Sequence, residues 1–291
     1  MKYNIDWIIT YNCNYNCWYC GSHKAEEFYS ASIADKVIDF ILNTVYKMED
    51  IEDGTVLAIT GGEPTLHPEF NHIIDNLELI NYFKMSNILV RSNLSAKLST
   101  YYHIIDKIDR LSFAFTFHNH HTSYDEFMNK LKQLINYSGK RVNYKIYYNL
   151  HKNNRLSLDD IYKMFESVLN DNVMLTFNNI IVSDADIVDD VIVNTTNKSD
   201  KIRYADNTPN PYYLKKTFCH ITNAVIHPNG FLYNCYQPIY TTQIVDLSGK
   251  NAESIYKMRS KTPILCQHKF CCDKMGFKTL DVLAANNALQ I

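Results

Sequence analysis

Residues 4–20, NIDWIITYNCNYNCWYC, largely decide which fold this chain adopts. An apolar, β-branched run comes first, and three cysteines follow it with the spacing Cys13-x3-Cys17-x2-Cys20. Three thiolates on one short loop can bind three irons of a [4Fe–4S] cluster, which leaves the fourth iron open to a substrate or cofactor. The same loop could instead form a zinc site together with His23, because zinc accepts cysteine and histidine ligands.

A pair of adjacent glycines follows the second strand-like run. The stretch reads Thr60-Gly-Gly-Glu-Pro64, in a chain with only 8 glycines among its 291 residues. Gly61 and Gly62 allow close approach of the backbone to a ligand. A tight turn from strand to helix explains them equally well. Glu63 offers an acceptor to a positively charged amine.

Strand-like and helix-like segments alternate over the first 180 residues. This alternation predicts parallel βαβ units, in either a partial barrel or an open sheet. In both folds the chemistry collects at the carboxyl ends of the strands, so Ser92, Asn93 and His118 are candidate site residues. Turn chemistry is the alternative for Ser92 and Asn93, and His118 could simply cap its strand. The predicted strands are Asn4–Thr10, Thr55–Thr60, Asn87–Ser92, Leu111–Phe117, Val142–Asn149 and Val173–Ile180.

A second group of cysteines lies in the last 73 residues, which hold 5 of the 8 in the chain. Cys219 and Cys235 enclose a His-Pro-Asn-Gly stretch at 227–230, whose Asn-Gly step predicts a β-hairpin. A hairpin with a cysteine near each base brings two thiolates together. A structural zinc site with four cysteines is one outcome and an iron–sulfur site is the other. The cysteines that can complete the site are Cys266, Cys271 and Cys272.

Composition limits the class of protein. The chain is 46% hydrophobic and 21% charged with a net charge of -2, which is ordinary for a globular protein. It has no basic cluster, so we expect no nucleic-acid partner. No apolar run approaches the ~18–20 residues of a membrane helix, and no signal peptide is recognisable, so we expect no membrane association and a cytoplasmic location. In that compartment, cysteines favour metal binding or catalysis over disulfides.

The two N-terminal motifs together resemble those of the radical S-adenosylmethionine (SAM) superfamily, which carries CxxxCxxC after its first strand and a GGEP-type motif after its second. The resemblance covers residues 4–182 and implies an α/β fold, a partial (β/α)6 barrel. It implies that Cys13, Cys17 and Cys20 hold a [4Fe–4S] cluster, whose open iron binds the amino and carboxylate groups of SAM. The other residues that it implies near SAM are Gly61, Gly62 and Glu63 along the methionine part, Tyr19 against adenine, and Ser92, Asn93 and His118.

The resemblance also implies a reaction. The reduced cluster would cleave SAM to a 5′-deoxyadenosyl radical, which abstracts hydrogen from a substrate C–H bond. Oxidation, epimerisation or bond formation would follow on a small metabolite or a peptide. A flavodoxin- or ferredoxin-type protein would donate the electron, and the enzyme would be oxygen-sensitive. The sequence leaves open the substrate and the oligomeric state.

The C-terminal cysteines resemble the SPASM/twitch extension of such enzymes, whose pattern begins Cys-x9–15-Gly-x4-Cys. The resemblance implies one auxiliary [4Fe–4S] cluster in a small α+β domain with a β-hairpin. Cys219, Cys235 and Cys266 would bind it together with Cys271 or Cys272. The remaining thiol of that pair could return a hydrogen atom to a substrate radical, which would give epimerisation.

The expected organisation is a barrel over residues 1–182, a connecting segment over 183–218 and an auxiliary domain over 219–291. Two alternatives remain open at this point. One is a peptide-maturing enzyme that uses a separate recognition partner. The other is a non-catalytic iron–sulfur or zinc protein.

Overall fold

A parallel β-sheet forms the centre of the fold in the computed structural model. Its six strands β1 to β6 lie side by side in chain order, and each pair of neighbours is parallel. The six strands predicted from the sequence are confirmed, with small shifts at their ends. Their bounds are Asn4–Thr10, Thr55–Gly61, Met85–Ser92, Leu111–Phe117, Val142–Leu150 and Val173–Asn179. The structure describes residues 4–17, 20, 31–41, 55–81, 85–150, 156–179, 202–204, 218–221, 223–228, 230–233, 243–246, 264–265 and 277–278.

Five described helices, α1 to α5, connect or follow these strands. Their bounds are Ala31–Phe40, Phe70–Asn81, Leu98–Lys107, Tyr124–Ser138 and Leu158–Phe165. Side-chain caps fix the starts of the last two. Ser123 accepts a hydrogen bond from Glu126 N at the start of α4, and Ser157 forms a capping box with Asp160 at the start of α5.

All five helices pack on the same face of the sheet. One buried row on that face runs across β1 to β5 in register. These side chains belong to one apolar core with residues from every described helix. Helices on a single face are typical of a barrel wall, whereas an open doubly wound sheet has helices on both faces. The row consists of Trp7, Ile59, Val90, Phe113 and Tyr144.

Strands from the C-terminal part extend the same sheet at both edges. β7, Ile202–Tyr204, pairs in parallel with β6 inside the segment that the sequence predicts to be a connection. On the other edge, β9, Asn223–Ile226, pairs in parallel with β1, and β10, Phe231–Tyr233, pairs with β9 antiparallel. β11, Gln243–Asp246, follows β10. The hairpin predicted at 227–230 is therefore confirmed, and it continues the main sheet.

A second, smaller sheet surrounds β8, Phe218–Ile221. β12, Ile264–Leu265, and β13, Phe277–Lys278, pair antiparallel with its two edges. Mixed α/β structure is thus established for the described residues. The predicted domain limits at 182 and 219 and the twitch-like character of the C-terminal part stay predictions.

Candidate functional site

The three-cysteine loop follows β1 directly, at the carboxyl edge of the sheet. Cys13 and Cys17 are partly buried, Cys20 is exposed, and none of the three is in a disulfide. Cys20 N donates to Cys17 O over 3.1 Å, which closes a turn. Tyr15 N donates to Cys13 Sγ over 3.4 Å. The loop therefore presents three thiols, one of which accepts a backbone hydrogen bond of the kind that tunes iron–sulfur clusters.

The glycine pair holds this loop through backbone contacts. Gly62 N donates to Thr10 O over 2.9 Å, and Glu63 N donates to Asn12 O over 2.8 Å. A Cβ on Gly61 would lie 2.3 Å from Thr10 O, and one on Gly62 would lie 2.3 Å from Asn12 O. The close approach that the two glycines allow is therefore to the cysteine loop. The sequence could not distinguish this from close approach to a ligand.

Glu63 is fully buried and lies at the centre of a hydrogen-bond network. Its Oε1 accepts from Ser92 Oγ at 2.8 Å, from Thr65 Oγ1 at 2.6 Å and from Thr65 N at 3.3 Å, and its Oε2 accepts from Asn93 N at 2.7 Å. Burial raises the pKa of this carboxyl, and these hydrogen bonds oppose the rise. A carboxylate has about four acceptor positions on its two oxygens, and Oε2 accepts one hydrogen bond from the described residues, so it can take a further donor.

Ser92 supports Glu63 from within the protein. Its hydroxyl hydrogen goes to Glu63, so Tyr101 Oη, 2.8 Å away, donates to Ser92 Oγ, and Leu94 N donates there as well over 3.1 Å. Both acceptor positions of the hydroxyl are thus in use. The predicted contact of Ser92 with SAM stays a prediction. The sequence did not indicate Thr65 or Tyr101 as site residues. Thr65 could have been predicted from its position directly after the GGEP stretch, whereas nothing marks Tyr101.

Asn93 links this network to the cysteine loop. Its Nδ2 donates to Asn14 Oδ1 over 2.9 Å and lies 4.0 Å from Cys13 Sγ. The next residue, Leu94, is buried with φ at +60°, a conformation that is uncommon for leucine. Lys130 Nζ donates to the carbonyls of Leu94 and Ser95 and so holds this turn. Strained backbone of this kind often lies at functional sites.

His118 reaches the cysteine loop from the end of β4. Its Nδ1 lies 3.4 Å from Cys17 Sγ. Burial, with smaller contributions from His121 and His120, lowers its pKa to about 4. The Tyr15 ring lies edge-on to His118 and stacks on His121 at 4.6 Å between centroids. The sequence indicated His118 but not this aromatic cluster.

The second face of the sheet, opposite the helices, is more polar than the helix-covered face. A small apolar group there contains Ala58, Leu89 and Ala114. Beside it, Arg91 Nη1 lies 3.1 Å from Asp6 Oδ1, and the Asp6 side chain is only 8% exposed. This face therefore carries a partly buried ion pair beside a few apolar side chains.

The hairpin contacts the residue just before the cysteine loop. The backbone N–H of His227 donates to Phe231 O and that of Gly230 to His227 O, both over 2.9 Å, and Gly230 has φ at +76°. The His227 side chain is buried and hydrogen-bonded to Tyr11 Oη through Nδ1. Burial lowers the pKa of His227 to about 4. No local pattern in the sequence indicates this contact between segments more than 200 residues apart.

The remaining predicted ligands are only partly described. Cys219 lies in β8 opposite Ile264 of β12, and its side chain is outside the described part. Tyr19, Cys235, Cys266, Cys271 and Cys272 lie outside the described residues altogether. Among the residues that are described, no three His, Cys, Asp or Glu side chains converge on a single metal ion.

Comparison with known proteins identifies the family. The protein has an α/β fold built on parallel strands. In its site, two glycines pack against a three-cysteine loop, which lies beside the buried Glu63 carboxylate. The family described as the radical SAM superfamily matches residues 7–168, more than half of the chain. The chain therefore belongs to the radical SAM superfamily, and it is an enzyme, so the interpretation as a non-catalytic protein is wrong. No curated protein matches the sequence significantly.

Solved structures of SuiB from Streptococcus suis resemble this fold. SuiB bound to S-adenosylmethionine has a TM-score of 0.60 at 13% identity and covers 89% of this chain and 68% of SuiB. Another SuiB structure gives 0.58 at 13% identity, with 88% and 65% covered. SuiB bound to the precursor peptide SuiA gives 0.56 at 12% identity, with 90% and 67% covered. The chain thus spans about two thirds of the length of SuiB, and the likeness establishes the fold.

Family membership implies a [4Fe–4S] cluster and SAM, and the residues present fit them. Burial raises the pKa of the Cys13 thiol, and the negative charges of Glu63, Cys17 and Cys20 raise it further. The three thiols are thus close enough to repel one another when ionised, and a bound cation would relieve that repulsion. Each thiolate of a cluster binds a different iron, so they need not converge on one point.

Within the described residues, no helix is long and apolar enough to cross a membrane.

Proposed function

We propose that this enzyme holds its [4Fe–4S] cluster on Cys13, Cys17 and Cys20, binds SAM at the open iron and activates a C–H bond of a peptide. The observation that carries the proposal is the approach of the cysteine loop to the buried Glu63 carboxylate at one edge of the sheet. When bound, the cluster and SAM supply a carbon radical that removes a hydrogen atom from the substrate.

The residues of this chain would bind and orient SAM. Glu63 Oε2, which accepts one described hydrogen bond, would accept another from the SAM amino group. Asn93 would contact the same part of SAM, because its backbone N–H donates to Glu63 and its side-chain amide lies 4.0 Å from Cys13 Sγ. Gly61 and Gly62 would act by fixing the loop. Tyr19 is proposed to lie against adenine.

A peptide is the proposed substrate class. The fold is similar over 90% of this chain to that of SuiB bound to the precursor peptide SuiA. A separate recognition partner could present the peptide. If a short peptide is encoded beside this gene, we expect the reduced enzyme to convert it with a change of mass. Conversion of a small metabolite in its place would contradict the peptide part of the proposal.

An auxiliary [4Fe–4S] cluster on the C-terminal cysteines is also proposed. Two strand pairings around β8 support it. Cys266 directly follows β12, which pairs with the strand that contains Cys219. Cys271 and Cys272 precede β13, which pairs with the other edge of β8. Cys235 would complete the site from the end of the hairpin.

Anaerobic purification followed by an assay with SAM tests the proposal. We expect about eight irons per chain, for two cubic clusters, and reductive formation of 5′-deoxyadenosine. Cys17→Ala should abolish this cleavage, while His120→Asn, a change at an exposed site, should not. Stoichiometric zinc without cleavage would overturn the proposal.

The thiol of Cys271 or Cys272 that does not bind the cluster is proposed to return a hydrogen atom to the substrate radical. The thiyl radical that this leaves would regain one electron from the flavodoxin- or ferredoxin-type donor and one proton from water. In deuterated water this transfer would place deuterium at the reacting carbon and invert its configuration. Cys271→Ala and Cys272→Ala should differ, since one removes a ligand and the other the hydrogen donor. An unchanged product from both variants would rule out this role.

A further inference from the structure

We propose that His118 donates a hydrogen bond from Nδ1 to the Cys17 thiolate and thereby raises the reduction potential of the cluster. This role rests on the proposed function, because it requires a cluster bound to Cys17. It makes His118 a positioning residue that acts through a cluster ligand.

The distance and the direction of approach favour a hydrogen bond to sulfur. His118 Nδ1 lies 3.4 Å from Cys17 Sγ, within the range of N–H···S contacts. Cys17 belongs to the loop after β1, whereas His118 follows β4, so two strands of the sheet lie between their parent strands. The contact therefore connects the cysteine loop after β1 with the turn after β4.

The chemistry of a bound thiolate decides which atom donates. A cysteine sulfur that binds iron carries no proton, so it can only accept. An imidazole carries a proton on at least one ring nitrogen in either protonation state, and the nitrogen that faces the sulfur is Nδ1. With the cluster bound, the hydrogen of this contact must lie on Nδ1.

The surroundings hold the imidazole in place. His121 N and Thr122 N both donate to the His118 carbonyl, over 2.9 and 3.1 Å, which fixes the turn after β4. The Tyr15 ring meets the imidazole edge-on, with 5.5 Å between centroids and 76° between planes. The donor is thus oriented before a cluster binds, which lowers the entropic cost of the hydrogen bond.

Cys13 provides a contrast within the same loop. Its described donors are the backbone N–H of Tyr15 at 3.4 Å and the Asn93 amide at 4.0 Å. A substitution cannot remove the backbone donor, whereas it can remove the histidine donor. The contribution of His118 can therefore be measured separately.

The expected direction follows from charge. Reduction adds an electron to the cluster and its thiolates, and a hydrogen bond to sulfur stabilises that added negative charge. Loss of the bond should therefore lower the midpoint potential and make the cluster harder to reduce. A purely structural role would change iron content or stability and leave the potential of the loaded cluster unchanged.

A redox titration of the reconstituted holoenzyme, monitored by EPR, tests this role. His118→Leu removes the donor and keeps an apolar group of similar size, and we expect a lower midpoint potential. His118→Asn places an amide N–H near the position of Nδ1, and its potential should stay close to that of the parent. His120→Asn removes an exposed imidazole from the same turn and serves as the control. An unchanged potential in His118→Leu, or an equal decrease in His118→Asn, would overturn the proposal.

The unaltered enzyme offers a second test that does not depend on how the variants fold. Pulsed EPR of the reduced cluster in protein labelled with 15N-histidine should show a weak nitrogen coupling. The coupling should vanish in His118→Asn. Its absence from the parent, when iron is present and SAM is cleaved, would reject the His118 role and leave the proposed function intact. A parent without a cluster would reject both.

Discussion

Gly62 has no side chain, so the backbone of the cysteine loop can pack directly against it and is held in place there. An added Cβ would lie 2.3 Å from Asn12 O and 2.6 Å from Tyr11 O, and backbone atoms cannot rotate away. We expect Gly62→Ala to displace the loop, to reduce the free energy of unfolding by about 1–3 kcal/mol and to lower the iron content severalfold. Urea unfolding and iron analysis of the same preparation will measure both effects.

Gly139→Ala is a matched control for this change. Gly139 ends α4 with φ at +59°, and an added Cβ would meet no atom within 4 Å. With φ at +59° and ψ at −129°, this backbone conformation favours glycine, and it should cost alanine about 1–3 kcal/mol. Both variants should thus lose stability, but only Gly62→Ala should lose iron. Equal iron loss in both would argue against an anchoring role for the glycine.

Glu63 is the residue on which binding of the SAM amino group should depend most. The substitution Glu63→Gln would remove the negative charge. It would also place an amide N–H₂, itself a donor, next to groups that donate to this carboxyl. We expect Glu63→Gln to weaken SAM binding by about tenfold or more, because hydrogen bonds to a charged group contribute about 1.5–3 kcal/mol. The SAM-dependent change in the EPR spectrum of the reduced cluster will report the affinity.

Thr65→Val is the control for Glu63. It removes the hydroxyl that donates to Oε1 over 2.6 Å and leaves the carboxyl group in place. Since Oε1 keeps Ser92 as a donor, SAM binding should weaken less than in Glu63→Gln. If the two variants bound SAM equally well, Glu63 would have no direct contact with SAM.

At the scale of elements, the sequence predicted those that depend on local pattern. The six parallel strands alternate with helical periodicity, and the hairpin has an Asn-Gly step followed by Gly230 with positive φ. It could not predict β7, which has only 3 residues within a polar segment, or the parallel pairing of β9 with β1. Such pairings depend on contacts between residues far apart in the chain.

The same division holds within the site. Local motifs predicted the three cysteines and Glu63, because their spacing is short. Tyr101 and His227 reach the site from a helix and from the hairpin, and no local pattern marks them. Long-range packing places both, and only a structure could indicate them.

The docked hairpin should make stability depend on pH. Burial lowers the pKa of His227 from 6.5 to about 4, so the unfolded chain binds a proton below pH 6.5 and the folded chain does not. The folded state should therefore lose stability as the pH falls from 6.5 toward 4. His227 alone should contribute about 2 kcal/mol to the loss between pH 7 and pH 5. Urea unfolding at both pH values will measure it.

His227→Gln should flatten this dependence. Gln does not titrate, so the difference in unfolding free energy between pH 7 and pH 5 should shrink by most of that amount, whatever the variant costs at neutral pH. Each protein is compared with itself at two pH values, so a general loss of stability cancels. An identical pH difference in parent and variant would show that the hairpin does not protect this histidine.

At the scale of the whole molecule, β1 connects the two proposed cluster sites. Its carboxyl end leads into the cysteine loop, and its edge pairs with β9 of the hairpin, which lies between Cys219 and Cys235 in the chain. In the proposed function the two sites would nevertheless use separate ligands. We therefore expect chemistry at the first site to proceed without the second.

Cys235→Ala tests this separation. The variant should lose about four irons per chain, because the auxiliary cluster lacks a ligand, and it should still form 5′-deoxyadenosine from SAM. Product formation should fail, since the substrate radical would have no auxiliary cluster to bind it or to accept its electron. Iron analysis, chromatography of 5′-deoxyadenosine and mass spectrometry of the substrate measure the three effects. If cleavage stopped while the irons of the first site were retained, SAM cleavage would depend on both clusters. That result would contradict the expected separation of the two sites.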